Sequence, residues 1–164
     1  ALVSVDRDTG RVTVERLVAV DDSGTGVNPL IVEGQIHGSM AHGLGEALWE
    51  RMVYGPDGQV LTGSLLDYAM PLAHMLPRFT TGHFETPSPQ QPFGAKGAGE
   101  AGNIGTPPAV VNAVVDAVRH LGINDIQMPC TPHRVWTAIN QAGGGRPTPD
   151  VAQPHFDEGE GAQS

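Results

Sequence analysis

The chain has little of several things. It carries one cysteine (Cys130), one lysine (Lys96) and eight aromatic side chains in 164 residues. A lone cysteine excludes an internal disulfide and fits a reducing compartment, so a cytoplasmic protein is expected. The nine cations face 18 acidic residues, for a net charge of −9. No basic stripe exists to neutralise a phosphate backbone, which excludes nucleic acid and anionic membrane surfaces as natural partners. No apolar run approaches the ~18 to 20 residues of a membrane span. The N-terminus lacks the basic, apolar and small-residue order of a signal peptide. It starts Ala1-Leu2-Val3, without Met, directly in a strand pattern, and reads as a piece of something longer.

What is abundant is Gly and Pro, at 22 and 14 residues with no collagen-like period. Much of the backbone is therefore expected in turns and loops. The length suits one domain with its own core.

Along the chain, Leu2 to Val5, the turn Asp8-Thr9-Gly10, and Val12 to Val20 predict a β-hairpin. Asn28-Pro29 opens a helix over about 29–50, with Ile36, Met40, Leu44 and Leu48 as its apolar face. Gly34, Gly38, Ala41 and Gly45 form a second stripe on it, which predicts close approach by another helix or strand or, as the alternative, by a ligand. Arg51 to Tyr54 and Gln59 to Thr62, around Gly55-Pro56-Asp57-Gly58, predict a second hairpin. Phe79 to Glu85 predicts a further strand. The 17 residues TPSPQQPFGAKGAGEAG, from Thr86 to Gly102, have no helical or strand period; a loop of that length in a compact domain is functional or disordered. Thr106-Pro107-Pro108 predicts a helix start, with Val110, Val111, Val114, Val118 and Leu121 as its buried face and Gly122 as its stop. Thr131-Pro132 opens a short helix presenting Val135, Trp136 and Ile139. Residues 143–164 read as a disordered acidic tail, leaving 1–142 as the folded part. The fold class expected is α+β: hairpins packed with two longer helices and one short one, with a long Gly/Pro-rich loop.

Several motifs resolve to bland readings. Gly97-x-Gly99-x-x-Gly102 matches the dinucleotide fingerprint, but no strand is predicted to run into its first glycine and the helix is expected only at Pro107. No Gly-Lys-Ser/Thr follows Lys96, so there is no P-loop. His37 and His42 are five apart and turn to different faces of a helix, and no metal site is assigned. Cys130 has no partner cysteine and reads as structural. What remains is Gly94-Ala95-Lys96-Gly97-Ala98-Gly99-Glu100. Read from residues alone it is either a surface turn or a ligand-cradling loop that presents Glu100 as a general base or metal-facing acid.

GAKGAGEAG resembles the active-site segment of the molybdenum hydroxylases: xanthine dehydrogenases, aldehyde oxidases and the large chain of aerobic carbon monoxide dehydrogenase. VDDSGTGVNPLIVEGQIHGSMAHGLGEALWE, LLDYAMP, ETPSPQQPFGAKGAGE and IQMPCTPHRVWTAI are similar to segments of the carbon monoxide dehydrogenase-type branch, in the same order and over about residues 1–142. The resemblance implies the C-terminal part of a molybdopterin-binding catalytic subunit. It implies that Glu100 sits beside molybdenum and takes the proton from a metal-bound hydroxyl, and that Lys96, Gly97, Ala98 and Gly99 lie against the molybdopterin. It further implies a molybdenum-molybdopterin, in the cytosine dinucleotide form, with 2Fe-2S and FAD on other modules or subunits. The implied partners are the remainder of the catalytic subunit, iron-sulfur and flavin subunits, and a small substrate: an aldehyde, an N-heterocycle or CO. The substrate-side loop, with the cysteine that carries copper in true carbon monoxide dehydrogenases, falls outside this chain. A reading from a different class is a non-catalytic interaction or assembly module that keeps the fold and binds no cofactor by itself.

Overall fold

The structure is a computed structural model and describes residues 1–143; the predicted tail lies outside these apart from Gly143. Three strands, β1 (Leu2–Val5), β2 (Val12–Asp22) and β3 (Phe79–Phe84), form one sheet in the order β1-β2-β3. Three helices, α1 (Pro29–Leu48), α2 (Ala101–Val118) and α3 (Pro132–Ala142), accompany it. Short 3-10 turns occupy Ala73–Met75 and Arg119–Leu121. The α+β class holds.

The long strand β2 is shared along its length. Its first part pairs antiparallel with β1, from Leu2↔Arg16 to Val5↔Val12, as the turn at Asp8-Thr9-Gly10 predicts. Its second part pairs in parallel with β3, from Leu17↔Phe79 to Asp22↔Phe84. A parallel pair needs a crossover rather than a hairpin, and α1 lies within that connection. Gly10 has φ +70°, and a Cβ there would stand 2.0 Å from the Pro132 carbonyl oxygen, so this turn is also where α3 closes on the sheet.

The side chains of Ile36, Met40, Leu44 and Leu48 are buried, as their spacing predicts. They join Val110, Val114 and Val118 of α2, Leu17 of β2, and Ile123, Ile126, Cys130, Val135 and Ile139 in one core. Val111, Leu121 and Trp136 are half-buried at its margin. Asn28 caps α1 by accepting the Ile31 N–H, and Thr131 caps α3 by accepting that of Arg134. β-branched α2 is stabilised by this burial more than by its own propensity.

Three expectations are corrected. The second hairpin is reduced to the bridge Tyr54↔Val60, flanked by hydrogen bonds from the Gly55 N–H to the Gln59 carbonyl and from the Leu61 N–H to that of Val53. Met52, Tyr54, Val60 and Leu61 are all exposed, and a two-stranded ribbon with no buried face does not sustain a ladder. Helix α2 begins at Ala101, not at Thr106-Pro107, so both prolines lie inside it. Gly102 packs so tightly on α1 that a Cβ there would stand 2.4 Å from Ser39 Oγ, and the Thr106 hydroxyl donates to the Gly102 carbonyl at 2.6 Å. Burial of Gly102, Thr106 and Pro107 against α1 offsets the backbone hydrogen bonds that the prolines forgo. Finally, the predicted small-residue stripe is closely approached at Gly45, where a Cβ would stand 2.7 Å from Pro71 Cγ, but it is not where α2 packs. A Cβ at Gly34 or Gly38 would meet nothing within 4 Å, whereas one at Gly43 would stand 2.7 Å from Thr106 Cβ and 3.0 Å from Pro107 Cδ. The helices meet along Ser39 and Gly43.

Candidate active site

Strand β2 ends in Asp21-Asp22, and the chain turns away through Ser23-Gly24-Thr25. Gly24 has φ +63°, and a Cβ there would stand 2.2 Å from the Gly94 carbonyl oxygen, so only glycine allows the long loop to lie this close. The contact is a bridge between Gly24 and Ala95. Around it, the Thr25 N–H donates to the Gly94 carbonyl at 3.1 Å and the Lys96 N–H donates to that of Ser23 at 2.8 Å. Residues 86–96 are therefore an ordered strap laid across the end of β2, although their composition shows no period.

One carboxylate ties the strap at both ends. Asp22 Oδ1 accepts the N–H of Gly24 at 2.9 Å and that of Thr86 at 3.1 Å, and Oδ2 receives Lys96 Nζ at 2.9 Å. Hydrogen bonds from Thr86, Lys96 and Gly24 hold the Asp22 carboxyl well below the usual carboxylate range.

Beyond Lys96 the chain is Gly97-Ala98-Gly99-Glu100 and then α2. Among the described residues, no acceptor receives the N–H groups of Gly97, Ala98, Gly99 or Glu100, nor those of Ala101 and Gly102. Nothing crowds Gly97 within 4 Å, and Gln35 of α1 is the neighbour of Gly99, its Nε2 4.0 Å from the Cβ that Gly99 lacks. Glu100 occupies the N-cap position of α2 without capping it through its side chain. Its carboxylate is exposed and has no partner among the described residues. The arrangement offers two things together: a row of free N–H donors at a helix N-terminus, which suits phosphate oxygens, and an available proton acceptor at its end. A phosphate-bearing pterin fits that donor set.

The structure brings Gly97, Ala98, Gly99 and Glu100 into one segment, as the motif suggests, and engages Lys96 with the end of β2. The Lys96 ammonium is held by Asp22 and its N–H by Ser23, so neither is a free donor. Gly102 is the second residue of α2, so a helix does open at the end of the glycine motif. What the dinucleotide fold needs and this segment lacks is a strand entering Gly97. His37 and His42 each stand one turn from a glutamate, Glu33 and Glu46, and no group of three metal-ligating side chains occurs among the described residues. Cys130 is buried, and burial pushes its thiol up to about 11.

Sequence reasoning passed over Asp22 as a side chain with a role, and also Asn103, whose Nδ2 donates to Glu46 at 3.3 Å while its Oδ1 is buried without a partner. Only the acidic pair at the end of β2, just before a glycine-rich turn, could have drawn attention to Asp22.

The family described as Molybdopterin cofactor-binding domain matches residues 1–77. The carbon monoxide dehydrogenase large chain of Hydrogenophaga pseudoflava is 42% identical over 140 residues, which are 85% of this chain and 17% of that protein. The nicotine 6-hydroxylase large subunit of Paenarthrobacter nicotinovorans is 43% identical over 134 residues, 82% of this chain and 16% of that protein. A crystal structure of the Cu,Mo-CO dehydrogenase superposes with a TM-score of 0.81 at 40% identity, covering 86% of this chain and 18% of that one. The chain thus spans about one sixth of the length of the curated relatives it matches. Fold, loop and sequence agree, and the chain belongs to the molybdopterin-binding large subunits of the molybdenum hydroxylases, on the carbon monoxide dehydrogenase-type branch.

Proposed function

We propose that the chain is a segment of the catalytic large subunit of a molybdenum hydroxylase, in which Glu100 is the base for oxidative hydroxylation of an aldehyde, an N-heterocycle or CO with water as the oxygen source. The cofactor is molybdenum-molybdopterin in its cytosine dinucleotide form; when bound it supplies the two-electron oxidant, and 2Fe-2S and FAD groups on other modules or subunits carry the electrons away. The remainder of the large subunit and the iron-sulfur and flavin subunits are the partners, and the assembly works in the cytoplasm.

The observation that carries this reading is the juxtaposition at the head of α2. Glu100 is exposed and unengaged among the described residues, and it directly follows three residues whose N–H groups have no acceptor among them. Hydroxylation by water releases protons, and a carboxylate held at a fixed point beside the cofactor receives one. The N–H groups of Gly97, Ala98 and Gly99 hold and orient the cofactor through its oxygen atoms, at a site where glycine keeps side chains out of the way. The Lys96 side chain takes no part in that contact.

The test is Glu100→Gln in the complete enzyme. The amide keeps the size of the side chain and removes the proton acceptor, so molybdenum content stays at the wild-type level while reduction of the enzyme by its substrate slows by ~10² to 10⁴. The loss falls on kcat, because the interaction acts in the transition state. A variant that keeps its metal and is reduced within about tenfold of the wild-type rate sinks the reading.

A further inference from the structure

We infer that Asp22 and Lys96 are positioning residues, an ion-pair clamp that fixes the pose of Gly97–Glu100 from the N-terminal side. The inference rests on the reading of Glu100 as the base.

The segment Gly97–Gly99 has no anchor of its own. Two of its three residues are glycines, the residues with most conformational freedom, and no hydrogen bond among the described residues holds its N–H groups. Its pose is therefore set by its two ends. The C-terminal end is fixed by α2, where Gly102 packs on Ser39 and Met40 of α1. The N-terminal end is fixed at Lys96, through its N–H on the Ser23 carbonyl and its Nζ on Asp22 Oδ2 at 2.9 Å. Asp22 is the last residue of β2, paired with Phe84 in the parallel ladder with β3, so the clamp ties the C-terminal end of the strap to the sheet. The same carboxylate holds Thr86, where the strap begins, so the strap is closed across its own mouth.

The pair's surroundings separate positioning from folding. The Lys96 and Asp22 side chains are 36% and 33% exposed, and an ion pair open to water to that degree contributes little to global stability. Its local effect is larger, because displacing a catalytic group by about 1 Å costs on the order of 10² in rate. The lysine in this loop thus serves the catalytic segment at one remove rather than contacting the cofactor.

The experiment uses the complete enzyme carrying Asp22→Asn, Lys96→Gln, the double substitution, or Lys96→Arg. Three things are measured: molybdenum content, kcat and KM separately, and hydrogen exchange of peptides spanning 86–100. Either single variant should speed exchange of those peptides about tenfold, with the core helices unchanged. Each should lower kcat by roughly 10- to 100-fold with KM and molybdenum content near wild type. The double variant should be no worse than either single one, since one interaction is lost in all three. Lys96→Arg, which keeps a charged donor, should restore most of the rate. If Asp22→Asn disturbs the turn through Gly24 and Thr86, Lys96→Gln leaves those bonds in place and carries the test. Unchanged exchange at 86–100 in Lys96→Gln, or losses that multiply in the double variant, overturn the clamp. Faster exchange together with an active Glu100→Gln enzyme keeps the clamp and removes the base; unchanged exchange with an inactive Glu100→Gln enzyme does the reverse.

Discussion

Single residues here act through what surrounds them. Glu100 and Asp22 are both carboxylates close to the glycine loop. Asp22 is satisfied by Gly24, Thr86 and Lys96, whereas Glu100 has no partner among the described residues. The first is thereby structural and the second available. Cys130 shows the same logic in reverse. Its thiol lies in the core, its own N–H donates to the Ala47 carbonyl at 2.6 Å, and burial holds its titration up at about 11. In the complete enzyme at pH 8, a thiol reagent should leave the Cys130 peptide unmodified, as read by mass spectrometry, until denaturant is added; rapid labelling in the folded state would place the side chain at the surface. The sign of the linked stability follows. The fold keeps a proton that the unfolded chain gives up, so the contribution is fully present below the ordinary thiol value of 9.0 and is lost as pH rises through about 11. The urea midpoint of the purified chain should therefore fall over that window more than the midpoint of Cys130→Ala does.

Elements owe their limits to packing. Helix α1 matches its sequence signature because Asn28-Pro29 starts it and the four-residue apolar spacing buries one stripe. Its contact with α2 runs along a different line of small residues from the one that spacing suggests. Gly43 meets Thr106 and Pro107, while Gly34 and Gly38 face open space. Gly43→Val should lower the denaturation midpoint of the purified chain by the equivalent of ~1 to 3 kcal/mol, since the added atoms have no room against the side chains of Asn103, Thr106 and Pro107. Gly38→Ala should raise it by about 0.5 to 1 kcal/mol, because it removes backbone freedom from an open helical position. Opposite outcomes would exchange the two faces. The early start of α2 has the same origin: Gly102 and Gly105 followed by two prolines carry every local mark of a loop, yet α1 offers a surface on which that turn is buried.

At the scale of the molecule, the chain exposes large apolar side chains outside its core, among them Leu30, Leu65, Leu66, Phe84, Phe93 and Ile104. It has about one sixth of the length of its relatives, and on the proposed reading it supplies one row of N–H donors and one carboxylate to a cofactor pocket. Purified alone, it should hold no stoichiometric molybdenum and show no oxidoreductase activity; about one molybdenum per chain, measured by elemental analysis, would show that this loop suffices. The sequence by itself determined the first hairpin, the course and buried stripe of α1, the start of α3 and the grouping of Gly97 to Glu100. Each of these rests on signals a few residues apart: a turn glycine, a capping side chain, a four-residue apolar period. Only the tertiary structure decided the parallel pairing of β2 with β3, the start of α2 and the role of Asp22. The bond from Lys96 to Asp22 joins residues 74 positions apart, and the Thr86 bond spans 64, so no local pattern encodes them. They form because the β2–β3 ladder carries the end of the sheet to where the strap crosses it, and the glycine at 24 allows the two backbones to touch.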